Sequence, residues 1–202
     1  MTVIVDYGVG NLFSIKSSLD AVGVTAAVTG DAARIVSARR VILPGVGAFG
    51  DAADKLRGSG LADAVLEAAE RGIPLLGICL GMQLLFERSF EFGEHAGLSL
   101  IPGEVRPIAE VIAPELKIPH IGWNALKLAR KSALYRYVED GEYVYFVHSY
   151  SAADCGGYVS ATTDYGGTLT ASAERENVFG TQFHPEKSGD AGLRILKAFC
   201  EI

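Results

Sequence analysis

The chain has 202 residues, of which 49% are hydrophobic and 21% charged. That length and composition predict one domain, residues 1–202, with a sizeable buried core. A formal net charge of −6 with no basic block argues against nucleic acid or an anionic membrane as partner.

The first half alternates strand and helix patterns. The opening "MTVIVDYG" is too short an apolar run for a signal peptide and lacks its basic start. Within it, "TVIVDYG" reads as a buried strand ending in turn residues. Leu12, Ile15, Leu19 and Val22 then recur at helical spacing. "VTAAVTG" and "RRVILPG" predict a second and a third strand. Helical segments carrying Leu56, Leu61, Val65 and Leu66 follow, and Gly72 ends the last of them. "IPLLGIC" is a fourth strand and "GMQLLFER" a helix. This is the most apolar stretch, but Pro74, Gly77, Gly81 and Gln83 bound or break it, so it is no membrane span.

The second half differs. "LSLIPGEVRPI", "IGWNALKL", "EYVYFVHSY", "GYVSATT", "LTASAE" and "NVFGTQFH" read as short strands, several of them aromatic and β-branched. Leu193, Leu196, Phe199 and Cys200 mark a closing helix with Ser188 as its N-cap. The expected fold is α/β: a mostly parallel sheet covered by helices, with additional antiparallel strands in the second half. Its site is expected at the strand C-termini.

Cys79, Cys155 and Cys200 are odd in number and lack metal-like spacing, which suits free thiols in a reducing cytoplasm. No metal and no cofactor is expected. One of the three stands out. "Gly77-Ile78-Cys79-Leu80-Gly81" has the form of a nucleophile elbow, where a sharp strand-to-helix turn projects the central side chain. Glycine on each side removes Cβ atoms that would clash. The adjoining helix N-terminus favours a thiolate. A small buried core cysteine fits the pentapeptide equally well. Cys155 has a loop context, and Cys200 lies on the apolar stripe of the last helix.

A thiol nucleophile needs a base, and the base an orienting group. His184, in "GTQFHPEKS", ends a strand pattern with Glu186 two residues on. Extended chain would turn the two to one side. His148, in "YFVHSY", is the rival. "LPGVGAFGD", residues 43–51, holds three glycines and could aim backbone N–H groups at an oxyanion, though a plain strand-to-helix turn would look the same. "DYGVGN" has Phe13 where the third glycine of a dinucleotide fingerprint would fall, so it is not one.

With these pieces in place, the chain resembles the triad-type (class I) glutamine amidotransferases, which have a flavodoxin-like fold. Within them it is similar to the glutaminase subunits that feed imidazole glycerol phosphate synthesis in histidine biosynthesis. "DYGVGNL", "LPGVGAFGDA", "GICLGMQLLFE", "GLSLIPGEV", "PHIGWN", "YFVHSY" and "GTQFHPEKSG" carry the resemblance across the whole chain. It implies that Cys79 attacks the carboxamide of L-glutamine, that His184 moves the protons and that Glu186 holds His184. Val46, Gly47 and the Leu80 N–H would form the oxyanion site. Gln83 and Glu91, with the backbone of Ser149 and Tyr150, would bind the amino-acid end of the substrate. The ammonia would pass to a (β/α)₈-barrel cyclase subunit docked near Asn11, Trp123, Tyr145 and Lys187, in a heterodimer. Trp123 is the only tryptophan, and a lone tryptophan serves as readily in a core. Phe13 and Phe90 depart from the family pattern and leave the triad untouched.

Three alternatives remain at this stage. The chain could be a glutaminase for another synthase, such as anthranilate or pyridoxal phosphate synthase; "PHIGWN" and "GMQLLFE" speak against that. It could be a thiol hydrolase of similar fold, which "HPE" disfavours. A non-catalytic binding subunit is opposed by the intact Cys79, His184 and Glu186.

Overall fold

The computed structural model describes residues Met1–Ile202. The apolar runs of the first half form β1 (Thr2–Val5), β2 (Ala26–Thr29), β3 (Arg40–Leu43) and β4 (Leu75–Ile78). Between them lie α1 (Leu12–Ala21), α2 (Ala32–Val36), α3 (Phe49–Gly58) and α4 (Leu61–Glu70), and α5 (Leu80–Gln83) follows β4. Short strands come next: β5 (Arg88–Ser89), β6 (His95–Ala96), β7 (Glu104–Pro107), β8 (His120–Ala125) and β9 (Lys127–Leu128). The chain ends with β10 (Tyr143–His148), β11 (Tyr150–Ala153), β12 (Val159–Asp164), β13 (Thr168–Arg175), β14 (Val178–Thr181) and α6 (Gly189–Cys200).

One eight-stranded sheet runs β2-β1-β3-β4-β14-β13-β12-β9. Its first five strands are parallel and the rest antiparallel. The parallel part follows the 2-1-3-4-5 order of flavodoxin-like sheets, with the late strand β14 in the fifth place. Strand alternation divides the core. Val3, Val5, Val41 and Leu43 face α3 and α4 on one side. Ile4, Ile42, Leu76 and Ile78 face α1 and α6 on the other. A four-stranded sheet, β11-β7-β5-β6, and the hairpin-like pair β8–β10 stand beside this body. No helix is long and apolar enough to cross a membrane.

The expected helix over "GMQLLFER" is cut to the single turn of α5. The carbonyls that would extend it are taken from outside: Leu98 N–H donates to Leu84 O, Leu100 and Ile101 N–H to Leu85 O, and Ser99 N–H to Phe86 O. The turn of α2 was not expected; Asp31 caps it, its side chain accepting the Ala33 N–H at 2.9 Å. The expected strand "NVFGTQFH" stops at Thr181, before His184. Ser188 stands at the N-cap of α6, but its hydroxyl makes no cap bond.

Candidate active site

Cys79 leaves the end of β4 with φ 54° and ψ −112°, a conformation that side-chain-bearing residues rarely adopt. Two backbone bonds hold it there: its N–H donates to Thr181 O at 2.7 Å, and its carbonyl accepts the Gln83 N–H at 3.1 Å. The flanking glycines are sterically required. A Cβ on Gly77 would stand 2.6 Å from the Gly81 carbonyl oxygen, and one on Gly81 would stand 1.9 Å from that of Leu43. The elbow is therefore the close packing of β3, β4 and the first residues of α5. The four-residue α5 sums few peptide dipoles, so the helix-terminus support expected for a thiolate is small here.

His184 arrives from the next strand of the sheet. Past β14 the chain is pinned to β10: the His184 N–H donates to Tyr145 O at 2.9 Å. Ser188 Oγ donates to His184 O at 2.6 Å and accepts the Tyr145 N–H at 2.9 Å. This is where the Ser188 hydroxyl goes instead of capping α6. Glu186 reaches His184 by a tighter route than the extended one expected. Pro185 opens a 3₁₀ turn over Pro185–Lys187, and the turn sets Glu186 Oε1 2.8 Å from His184 Nδ1. Both side chains are almost wholly buried. Burial disfavours the charged ring, but hydrogen bonds from the Cys79 and Glu186 sides more than offset this and push His184 up to about 10. With Nδ1 engaged by Glu186, Nε2 is left for the sulfur.

His148 is built differently. Burial is the main cause that pushes it down to about 4, so it is neutral at physiological pH. Its Nδ1 donates to Tyr150 O at 2.8 Å, and its Nε2 lies 3.0 Å from Nδ1 of His120, which burial also lowers. This pair supports the wall of the site and has no carboxylate to orient it as a base.

Nine expected residues line a single cavity of about 310 Å³: Val46, Gly47, Cys79, Leu80, Gln83, Glu91, Ser149, Tyr150 and His184. Pro119, Val147 and His148 complete it. Its size is at the lower end for small-molecule sites. Val46 and Gly47 form an exposed lip, with Gly47 at φ +93°. Gln83 Nε2 donates to Tyr150 O at 3.1 Å, and Glu91 Oε2 accepts the Phe49 N–H at 2.6 Å. Cys155 and Cys200 are buried in the two apolar cores, and burial pushes both thiols up. No three His, Cys, Asp or Glu side chains converge as a metal site.

The expected docking residues lie on an outer face. Trp123 is 51% exposed and meets Tyr145 edge-on, with ring centroids 5.9 Å apart. Lys187 is exposed on the 3₁₀ turn. Asn11 caps α1, its side chain accepting the Ser14 N–H at 3.4 Å, and α1 packs against the same turn. Four residues were missed by sequence reasoning. Ile121 and Tyr143 extend the exposed face, and the outward alternation of "HIGWNA" and "YVYFVH" was the available signal. Ser188 and Gln182 are buried beside Cys79 and His184; Gln182 stands two residues before His184, a spacing that extended chain turns to one side.

The family model described as "Glutamine amidotransferase class-I" matches residues 3–202. The chain is 52% identical over 204 residues to "Imidazole glycerol phosphate synthase subunit HisH" of Wolinella succinogenes, and 48% identical over 206 residues to the protein of the same name in Syntrophotalea carbinolica. All of each chain is covered in both cases. Among solved structures, one described as a glutamine amidotransferase superposes with a TM-score of 0.76 at 20% identity, covering 99% of both chains. A chain of PurLQS from Thermotoga maritima gives 0.72 at 19%, covering 99% of this chain and 97% of that one. At these identities the two structures bear on the fold alone.

Proposed function

Because the chain belongs to the class-I glutamine amidotransferases, among the HisH subunits of imidazole glycerol phosphate synthase, we propose that Cys79, His184 and Glu186 form its glutaminase triad. The chain is the glutamine amidotransferase subunit of that synthase and serves histidine biosynthesis. We take residues 1–202 as one amidotransferase domain.

In this reading Cys79 Sγ attacks the side-chain carboxamide carbon of L-glutamine. An S–C bond forms, and the negative charge passes to the carbonyl oxygen. Val46, Gly47 and the Leu80 N–H supply the oxyanion donors. Protonated His184 gives its proton to the carboxamide nitrogen, the oxyanion collapses as the C–N bond breaks, ammonia leaves, and a glutamyl thioester remains. Water then attacks with His184 as base, the S–C bond breaks, and glutamate leaves. Glu186 keeps the ring oriented throughout. Glu91 faces the α-amino group, while Gln83 and the backbone at Ser149 and Tyr150 hold the rest of the amino-acid end. The observation that carries the reading is the convergence of Cys79 and His184 on the one cavity that also holds Gln83, Glu91, Ser149 and Tyr150.

The ammonia passes to a (β/α)₈-barrel cyclase subunit seated on Trp123, Tyr145, Asn11 and Lys187, to which we add Ile121 and Tyr143. Exposed aromatics with a few polar anchors are what such patches use. Three unpaired cysteines support a cytoplasmic setting. Ammonia release is measured with and without the cyclase and its nucleotide ligand. The isolated chain should be weakly active and should rise sharply with the liganded partner. Trp123→Ala should keep its fold and lose partner affinity by about 30-fold, the scale of an interface hot spot. Full activity without a partner would overturn the coupling.

A further inference from the structure

We infer that Gln182 is a catalytic residue of this site, its side-chain NH₂ holding the Cys79 sulfur in its charged form; this rests on the reading of Cys79 as nucleophile. Gln182 is fully buried, directly after β14. A chain of contacts fixes the orientation of its amide. A backbone carbonyl only accepts, so the Gln83 atom 3.1 Å from Tyr150 O is Nε2. That Nε2 is also 3.0 Å from Gln182, so the Gln182 atom facing it is Oε1. Gln182 Nε2 is thereby turned to Cys79 Sγ, 3.8 Å away. In this buried position the sulfur is the acceptor that the amide N–H group needs.

The two forms of Cys79 then have different partners. The thiol can point its hydrogen at Val147 O, 4.0 Å from Sγ. The thiolate accepts from Gln182 and from His184. A hydrogen bond to an ionised acceptor is about twice as strong as one to a neutral acceptor, so the amide favours the thiolate. It takes the place of the dipole support that the single turn of α5 does not supply. The same contact acts twice in the cycle. When the S–C bond forms, the sulfur gives up its charge and becomes a poor acceptor. When that bond breaks after water attack, its electron pair returns to the sulfur, and the Gln182 N–H meets it.

The test uses the full chain. Alkylation of Cys79 by iodoacetamide, which forms an S–C bond and releases iodide, is followed against pH by mass mapping in wild type, Gln182→Met and Gln182→Glu. In Gln182→Met the midpoint of Cys79 reactivity should move up by about one pH unit, a roughly tenfold loss of rate on the acid limb. Gln182→Glu should move it further, because a carboxylate opposes the thiolate. One midpoint shared by all three proteins would overturn the assignment. A second measurement needs no variant of Gln182. Its side-chain ¹⁵N–¹H₂ resonances should titrate with the wild-type alkylation midpoint and stay fixed in Cys79→Ala; resonances that never move with pH in wild type would overturn it equally. Absence of Cys79 alkylation in wild type at any pH would overturn the nucleophile reading itself, and this inference with it.

Discussion

In β1, β3 and β4 successive residues alternate between two buried cores, and every side chain of these strands is covered. In β8 and β10 the alternation leaves Ile121, Trp123 and Tyr143 exposed on an outer face. The first region positions the proposed nucleophile through its backbone: strands packed without room for a Cβ bring Cys79 to a strained elbow. The second region positions what faces that atom through side-chain hydrogen bonds: His184 donates to Glu186, Tyr145 of β10 donates to Ser188, Ser188 donates to His184 O, and His148 donates to Tyr150 O. A close-packed elbow tolerates no added atom, whereas a hydrogen-bonded wall can be retuned bond by bond. The proposed docking on the exposed face of the second region would put partner contact on the same strand, β10, that carries His148 and pins His184.

The largest effects should separate the groups on the second side. His184→Ala should lower turnover on the order of 10⁴-fold. Glu186→Gln should cost less than His184→Ala, since it orients the ring and takes no substrate proton. His148→Ala should act mainly through a raised KM for glutamine. Steady-state kinetics of the three variants with saturating partner checks this order, and equal losses at His148 and His184 would remove the distinction between base and wall.

On the first side the expected effect is on folding. In Gly81→Ala the new Cβ would lie 1.9 Å from Leu43 O, which is backbone and cannot turn aside. The variant should lose more than about 3 kcal/mol or fail to fold. Denaturant unfolding measures this, and a variant within about 0.5 kcal/mol of wild type would mean that the elbow is looser than its packing implies.

The smallest effect is in pH dependence. His148 is held near 4 in the fold, below the ordinary value of about 6.5. The unfolded chain then binds the extra proton more readily, so stability falls as pH drops from about 6.5 towards 4, by up to roughly 3 kcal/mol. His184 has the opposite sign. Its raised value adds stability that is complete below about 6.5 and is lost as pH rises towards about 10. Melting temperatures across pH should show a flatter acid limb in His148→Asn and a flatter alkaline limb in His184→Asn.

Much of the first region was readable from sequence because its signals are local. Apolar runs, helical spacing and the glycines around Cys79 each reflect a constraint satisfied by near neighbours. The length of α5 was not readable, because residues 98–101 take its carbonyls from outside. His184 and Glu186 could be paired by their spacing, but the 3₁₀ turn that joins them ends at Ser188, whose hydroxyl bonds to Tyr145 of β10, 43 positions away, and leaves no local trace. The His120–His148 contact spans 28 positions and leaves no periodic trace. Trp123 was open to a core or a surface reading until the register with Tyr145 put both on the outer face. The amide of Gln182 gains its meaning only from Gln83, 99 residues away.

The central claim is that one thiol of three is the nucleophile. Brief treatment with a glutamine-like electrophile, followed by mass mapping of all three cysteines, tests it directly. Cys79 should be labelled first and nearly alone, with protection by added glutamine, while Cys155 and Cys200 stay unmodified in their cores. Labelling of Cys155 or Cys200 ahead of Cys79, or labelling that glutamine does not slow, would contradict it.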